Sequence, residues 1–92
     1  MKIREITFDP QARAGYVYFS DKPVVKTVQH SSFINLDLDR KGGLVGIELL
    51  WIGTRRFTDQ VRGALNHLAR EYRLPELRRL HPEKLSEILP PS

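Results

Sequence analysis

The segment Asp37–Glu48, which reads DLDRKGGLVGIE, carries acidic residues at a spacing that calcium loops also use. Acids stand at its first, third and twelfth positions and glycine at the sixth, as in an EF-hand. Position five is Lys41, a positive charge where a ligand oxygen belongs, and Val45 at position nine has no side-chain oxygen. The flanking residues alternate with the period of a strand, whereas an EF-hand loop joins two helices. We therefore expect no calcium site here.

The same three carboxylates, Asp37, Asp39 and Glu48, could instead serve a hydrolytic enzyme, with Asp37 and Glu48 as its acid–base pair. Such catalysis requires carboxylates that converge in a pocket with a further polar partner, and the sequence indicates no such partner. We expect Asp37 and Glu48 on the outward face of neighbouring strands and Asp39 at the start of a turn. The sequence therefore predicts a protein that is not an enzyme, with hydrolysis through these residues as the less favoured alternative.

The histidines, His30, His67 and His81, have a spacing that fits no compact metal motif. The chain has no cysteine, which excludes disulfides and thiolate ligands. His30 precedes two serines, but neither an adjacent acid nor a nucleophile elbow accompanies them. The sequence thus predicts no cofactor, no metal ion and no catalytic residue.

The surplus positive charge is mostly arginine. The net charge is +4, and residues 53–92 hold eight Lys or Arg against five acids, a net +3. Clustered guanidinium groups bind phosphates because each can donate to two oxygens, and exposed Tyr16 and Tyr18 could stack on bases. The same arginines could simply keep a helix face soluble. The candidate nucleic-acid-binding residues are Arg55, Arg56, Arg62, Arg70 and Arg73.

Length and composition indicate one small globular domain. The chain has 92 residues, of which 40% are apolar and 28% charged, values that exclude a disordered protein. The first ten residues lack the apolar core of a secretory signal, and no run approaches the roughly 20 apolar residues of a membrane span. We expect a cytoplasmic protein that does not bind membranes.

Alternating apolar residues predict strands in the first half of the chain. In the last strand Val45, Ile47, Leu49 and Trp51 would share the inner face. The segment Val24–Gln29 is a weaker candidate because its alternation is poor. The four predicted strands are Lys2–Phe8, Tyr16–Ser20, Phe33–Leu38 and Leu44–Ile52.

The second half of the chain predicts helices. One apolar stripe has helical spacing, with Thr58 as a plausible N-cap and an end at Leu74-Pro75; short helical segments follow from Pro75 and Pro82. Strands that precede helices indicate an α+β fold. We predict a single domain, with an antiparallel four-stranded β-meander over residues 1–53 and C-terminal helices over residues 54–92 packed on one face. The stripe consists of Phe57, Val61, Ala64, Leu65, Leu68 and Tyr72.

Residues 3–52 resemble the domain-of-unknown-function 2283 family of small bacterial and archaeal proteins. The resemblance lies in Asp9-Pro10 before a tyrosine-bearing strand, then Leu36-Asp37-Leu38-Asp39, a glycine turn and Val45-Gly46-Ile47-Glu48. It implies a compact antiparallel sheet and no established activity. Some members are encoded beside small toxins, so the resemblance also implies an antitoxin-like partner role.

From residue 50 to the C-terminus, the chain has more large apolar residues than a domain of this size needs for its core. We predict that they form a seam with a second copy or a groove for another protein. The predicted function is therefore a non-enzymatic interaction module, a homodimer that binds a protein partner. The candidate partner-binding residues are Leu50, Trp51, Ile52, Leu85, Ile88 and Leu89.

Overall fold

Residues 2–52 and 54–81 are described by a computed structural model, and they form one antiparallel sheet and one α-helix. A short 3₁₀ helix, Pro75–Arg79, follows the α-helix. The strands are β1 (Glu5–Asp9), β2 (Ala14–Tyr18), β3 (Lys26–Ser31), β4 (Ile34–Leu38) and β5 (Leu44–Leu49), and the helix is α1 (Arg55–Glu71).

The α+β class and the antiparallel sheet are confirmed, but the prediction of a four-stranded meander is wrong. The sheet has five strands in the order β1-β2-β5-β4-β3. The weak candidate around residues 24–29 is a true strand. It lies at an edge, where few of its side chains reach the core, and a register shift between Gln29 and Ser31 interrupts its alternation.

The last strand, β5, lies at the centre of the sheet between β2 and β4. Ile47 pairs with Val17 on one side and with Leu36 on the other, and all three side chains are buried on the inner face. Strand β5 ends at Leu49, so the prediction that Trp51 continues the inner face is wrong: the backbone of Trp51 turns to a φ of 63° and its side chain is exposed. Ile52 is buried after that turn.

Helix α1 covers the inner face of the sheet, as the apolar stripe predicted. Its buried side chains belong to the same hydrophobic cluster as those of the strands, and the Phe57 ring meets Phe33 edge to face with centroids 6.4 Å apart. The N-cap is Thr54, not Thr58: the Thr54 hydroxyl oxygen accepts a hydrogen bond from the Phe57 amide at 3.2 Å. The helix therefore begins one turn earlier than predicted.

Helix α1 ends at Glu71 through a backbone motif rather than at Leu74-Pro75. Arg73 has a φ of 53°, and the amide of Leu74 donates to the carbonyl of Ala69 at 2.8 Å, which is the pattern of a Schellman cap. The predicted helix from Pro75 is a 3₁₀ helix, and the predicted one from Pro82 lies outside the described residues. In the described part of the chain, the helix is too short and too polar to cross a membrane.

Candidate functional site

The outward face of the sheet carries a hydrogen-bonded group built from three strands. The Tyr16 hydroxyl donates to Asp37 Oδ2 at 2.5 Å, and the Thr27 hydroxyl donates to Asp37 Oδ1 at 2.6 Å. Strands β2, β3 and β4 each supply one of these residues, and β5 runs between Tyr16 and Asp37. Both oxygens of Asp37 are thus engaged.

Gly46 makes this arrangement sterically possible. It lies opposite both Tyr18 and Asp37 in the sheet, and a Cβ atom at this position would stand 2.2 Å from the Tyr16 ring. The tyrosine ring therefore lies directly over the backbone of β5, and its hydroxyl contacts Asp37 on the far side of that strand. Any other residue at position 46 would force the ring away from the carboxylate.

The environment of Tyr16 opposes its ionisation. Partial burial of the phenol raises its pKa above the ordinary value of 10.0, and the hydrogen bond to Asp37 and the negative charge of Asp37 raise the pKa further. Burial disfavours the charged phenolate, and a neighbouring carboxylate repels it. Tyr16 is therefore a fixed hydrogen-bond donor at neutral pH rather than a base or a nucleophile.

The three carboxylates of the hydrolytic alternative each have separate partners among residues 2–52 and 54–81. Asp37 binds Tyr16 and Thr27, whereas Glu48 accepts from the Asn35 amide nitrogen at 3.0 Å. Asp39 lies in the β4–β5 turn, where its Oδ1 accepts from the backbone amides of Lys41 at 2.9 Å and Gly43 at 2.8 Å. These two bonds and the nearby lysine charges lower the pKa of Asp39, with the Gly43 bond as the largest cause.

The predicted apolar partner patch divides into three environments. Leu50 is half-buried and lines a cavity of about 320 Å³ that also includes Tyr16 and Glu48. Trp51 is 57% exposed, and Ile52 is fully buried. Leu85, Ile88 and Leu89 lie outside the described residues. Of the patch, Trp51 alone within the described chain is both apolar and exposed.

The five arginines are exposed, but they do not adjoin the tyrosines. Arg55, Arg56, Arg62 and Arg70 lie on α1, and Arg73 follows the helix in the Schellman turn. Helix α1 covers the inner face of the sheet, whereas Tyr16 and Tyr18 lie on the outer face with ring centroids 4.3 Å apart. The cations and the stacking rings predicted for one nucleic-acid site therefore lie on opposite sides of the molecule.

Two of the three histidines come together across the fold, which the sequence spacing did not indicate. His30 on β3 and His67 on α1 have ring centroids 6.0 Å apart, and His67 Nε2 is 3.2 Å from Glu71 Oε2. The sequence signal that could have found part of this group is the His67–Glu71 spacing of four residues, which places both on one side of a helix. Nothing local marks His30 as their neighbour.

The chain also matches a known family. The sequence model of a family described as a protein of unknown function, DUF2283, matches residues 5–52, which is 48 of the 92 residues. The chain belongs to the DUF2283 family. The resemblance predicted from Asp9-Pro10, the acidic turn and Val45-Gly46-Ile47-Glu48 is confirmed. No curated protein and no solved structure gives a significant match.

The DUF2283 match ends between the last strand of the sheet and the start of helix α1. The match contains all five strands and the whole Tyr16–Asp37–Thr27 group. It ends at Ile52, so Thr54, α1 and the helical arginines lie beyond it. The DUF2283 part of this chain is a sheet, and helix α1 lies outside the matched residues.

Proposed function

We propose that the protein is a non-enzymatic interaction module that pairs with a second copy of itself through Trp51. The observation that carries this proposal is the exposed indole, which the backbone holds out of the core at 57% exposure. Tryptophan is enriched among the residues that dominate binding energy at protein interfaces. Among residues 2–52 and 54–81 the other exposed large apolar side chains are Tyr18, Val24 and Val25, so Trp51 is the strongest anchor candidate.

The backbone at Trp51 supports the proposal independently. A φ of 63° in a bulky residue costs on the order of 1–2 kcal/mol, and such strained residues cluster at binding sites. The neighbouring chain holds the turn in place: the Thr54 hydroxyl donates to the Trp51 carbonyl at 2.8 Å, and the Ile52 amide donates to the Arg13 carbonyl at 2.9 Å. The indole is thus presented on a rigid support.

The surface beside Trp51 is suited to receive the same residue from a second copy. A cavity of about 270 Å³ is lined by Trp51 itself with Ser32, Phe33, Thr54 and Arg56. The Arg56 guanidinium already lies 5.9 Å from the centre of the Phe33 ring, so a further aromatic ring could stack beside it. A two-fold dimer requires one patch that carries both an anchor and its receptor, and this patch has both.

The oligomeric state of the full chain tests the proposal. Sedimentation velocity over micromolar to millimolar concentrations should show a monomer–dimer equilibrium for the wild type, and Trp51→Ser should remain monomeric. Trp51 is the single tryptophan, so its fluorescence emission should shift to shorter wavelength as dimers form.

Val25→Ser is the matched control, because Val25 is 58% exposed and lies outside the patch. This variant should dimerise like the wild type. A wild type that stays monomeric with a concentration-independent emission spectrum would refute the proposed dimer, as would equal weakening by both substitutions.

The antitoxin-like role implied by the family resemblance is a narrower form of this proposal. It requires a second protein whose activity the chain suppresses.

The separate partners of Asp37, Asp39 and Glu48 support the non-enzymatic part of the proposal over hydrolysis. A hydrolase would need these carboxylates free to face a substrate, whereas Asp37 has both oxygens bonded and Asp39 closes its own turn.

Nucleic-acid binding is the second candidate, favoured by the alignment of Arg55, Arg62 and Arg70. These residues are seven and eight positions apart and form one exposed line along α1. Gel shifts with DNA and RNA should then weaken steeply with salt, and Arg62→Gln with Arg70→Gln should abolish them. Binding that is absent, or insensitive to salt, would dismiss this candidate.

A further inference from the structure

A cluster of two imidazoles and one carboxylate lies between the edge strand β3 and helix α1. His30 is supplied by β3, and His67 and Glu71 by successive turns of α1. One ligand atom from each residue lies within 4.8 Å of the others. The group is separate from the cavity beside Trp51, since none of its members lines that cavity.

The local structure of β3 directs His30 toward this cluster. The register between β3 and β4 shifts between Gln29 and Ser31, so His30 is the extra residue of a β-bulge. Bulges redirect a side chain and recur beside functional sites. The bulge brings the His30 ring toward α1, where it meets the His67 ring at a centroid distance of 6.0 Å.

One nitrogen of His30 lacks a partner. Nδ1 is buried and has no hydrogen-bond partner among the described residues. Leaving such a group unpaired costs about 1–3 kcal/mol, and native structures rarely contain one without a reason. A metal ion bound at Nδ1 would provide the missing interaction.

The distances suit a small transition-metal ion. Ligands at about 2.0–2.1 Å from a tetrahedral zinc ion are about 3.4 Å apart. His67 Nε2 and Glu71 Oε2 already stand 3.2 Å apart. Two imidazoles and a carboxylate form a donor set that zinc uses with one open position, whereas Mg²⁺ and Ca²⁺ prefer oxygen ligands alone.

We propose that His30, His67 and Glu71 bind a Zn²⁺ ion that joins the edge strand β3 to helix α1. Rotation of the His30 side chain completes the three-ligand set, and water takes the fourth position. The ion links two elements that are distant in sequence, so its binding stabilises the folded chain.

Calorimetric titration of ZnCl₂ into the untagged full chain tests the proposal. We expect one Zn²⁺ per chain, a melting temperature that rises with Zn²⁺ concentration, and no such effect from MgCl₂ or CaCl₂. His67→Ala and Glu71→Gln change exposed side chains and should each weaken binding by more than about tenfold. In NMR spectra the ring signals of His30 and His67 should move on addition of Zn²⁺.

His81→Ala is the matched control, because it removes an exposed histidine outside the cluster. This variant should bind Zn²⁺ as the wild type does. A wild type without binding heat or thermal shift would overturn the proposal. Equal losses in the His81 and His67 variants would also overturn it, because they would indicate unspecific binding to surface histidines.

Discussion

Tyr16 reaches Asp37 by crossing the backbone of a strand that lies between them. The contact connects β2 to β4 over Gly46. Because Thr27 donates to the other oxygen of Asp37, both oxygens are hydrogen-bonded. Hydrogen bonds to charged groups contribute about 1.5–3 kcal/mol; the Tyr16–Asp37 bond is partly buried, whereas the Thr27–Asp37 bond is exposed to solvent. The polar contacts of the outer face therefore contribute to stability, as the apolar contacts of the inner face do.

We predict that Gly46→Ala destabilises the protein by about 1–3 kcal/mol, the usual cost of an added methyl group in a filled space. The new Cβ would overlap the Tyr16 ring at 2.2 Å. Urea unfolding monitored by circular dichroism measures the change. Gly63→Ala is the control, since a Cβ there meets nothing within 4 Å and alanine favours a helix by up to about 1 kcal/mol. A neutral Gly46→Ala would contradict the proposed contact.

The raised pKa of Tyr16 predicts a loss of stability at alkaline pH. The folded protein holds the phenolic proton more tightly than the unfolded chain does, so this contribution is complete below pH 10 and falls as the pH rises above it. Tyr16→Phe should reduce the slope of unfolding free energy against pH in this range. Part of the slope should persist, because burial also raises the pKa of Tyr72. Identical slopes for the variant and the wild type would refute the prediction.

Residue patterns predicted the faces of the sheet but not the contacts across it. Alternation placed Asp37 and Glu48 outward correctly, because a period of two is a local property of the strand. The bond from Tyr16 to Asp37 depends on which strands are neighbours, and the meeting of His30 with His67 depends on how a helix crosses the sheet. Neither arrangement is encoded within a short window of sequence.

At the scale of elements, the β4–β5 hairpin was predictable and the position of β2 was not. The hairpin has its own turn chemistry: Asp39 accepts two backbone amides, and Gly42 adopts a φ of 81°, a conformation that glycine takes without strain. Strand β2 pairs with β5 through Val17 and Ile47, thirty residues apart. A meander fits the same alternation, so periodicity could not choose between the two topologies.

We predict that Thr54→Ala lowers the free energy of unfolding by about 1 kcal/mol, the typical value of a helix N-cap. The Thr54 hydroxyl oxygen accepts the Phe57 amide, and removal of the hydroxyl leaves that amide without its cap. Thr58→Ala is the matched control: its hydroxyl donates to the Thr54 carbonyl at 3.3 Å from inside the helix and should matter less. Thermal unfolding of both variants measures the difference, and a larger effect at Thr58 would restore the original N-cap prediction.

At the scale of the whole molecule, stability should decrease from the centre of the sheet to its edges. Strand β5 is paired on both sides, whereas within the described parts of the chain β1 and β3 are each paired on one side. Native-state hydrogen exchange should therefore give the highest opening free energies for amides of β5 and lower values for β3. Amides of β3 that exchange as slowly as those of β5 would contradict this order.

The family match ends before the helix that covers the inner face of the sheet. Val17, Leu36 and Ile47 are almost completely buried because α1 lies over them, and α1 follows the segment that the family shares. A polypeptide limited to that segment would expose the apolar inner face of its sheet to water. Two such sheets could shield each other face to face as a β-sandwich, with about 10 Å between layers. In this chain helix α1 provides the second layer over the inner face of the sheet.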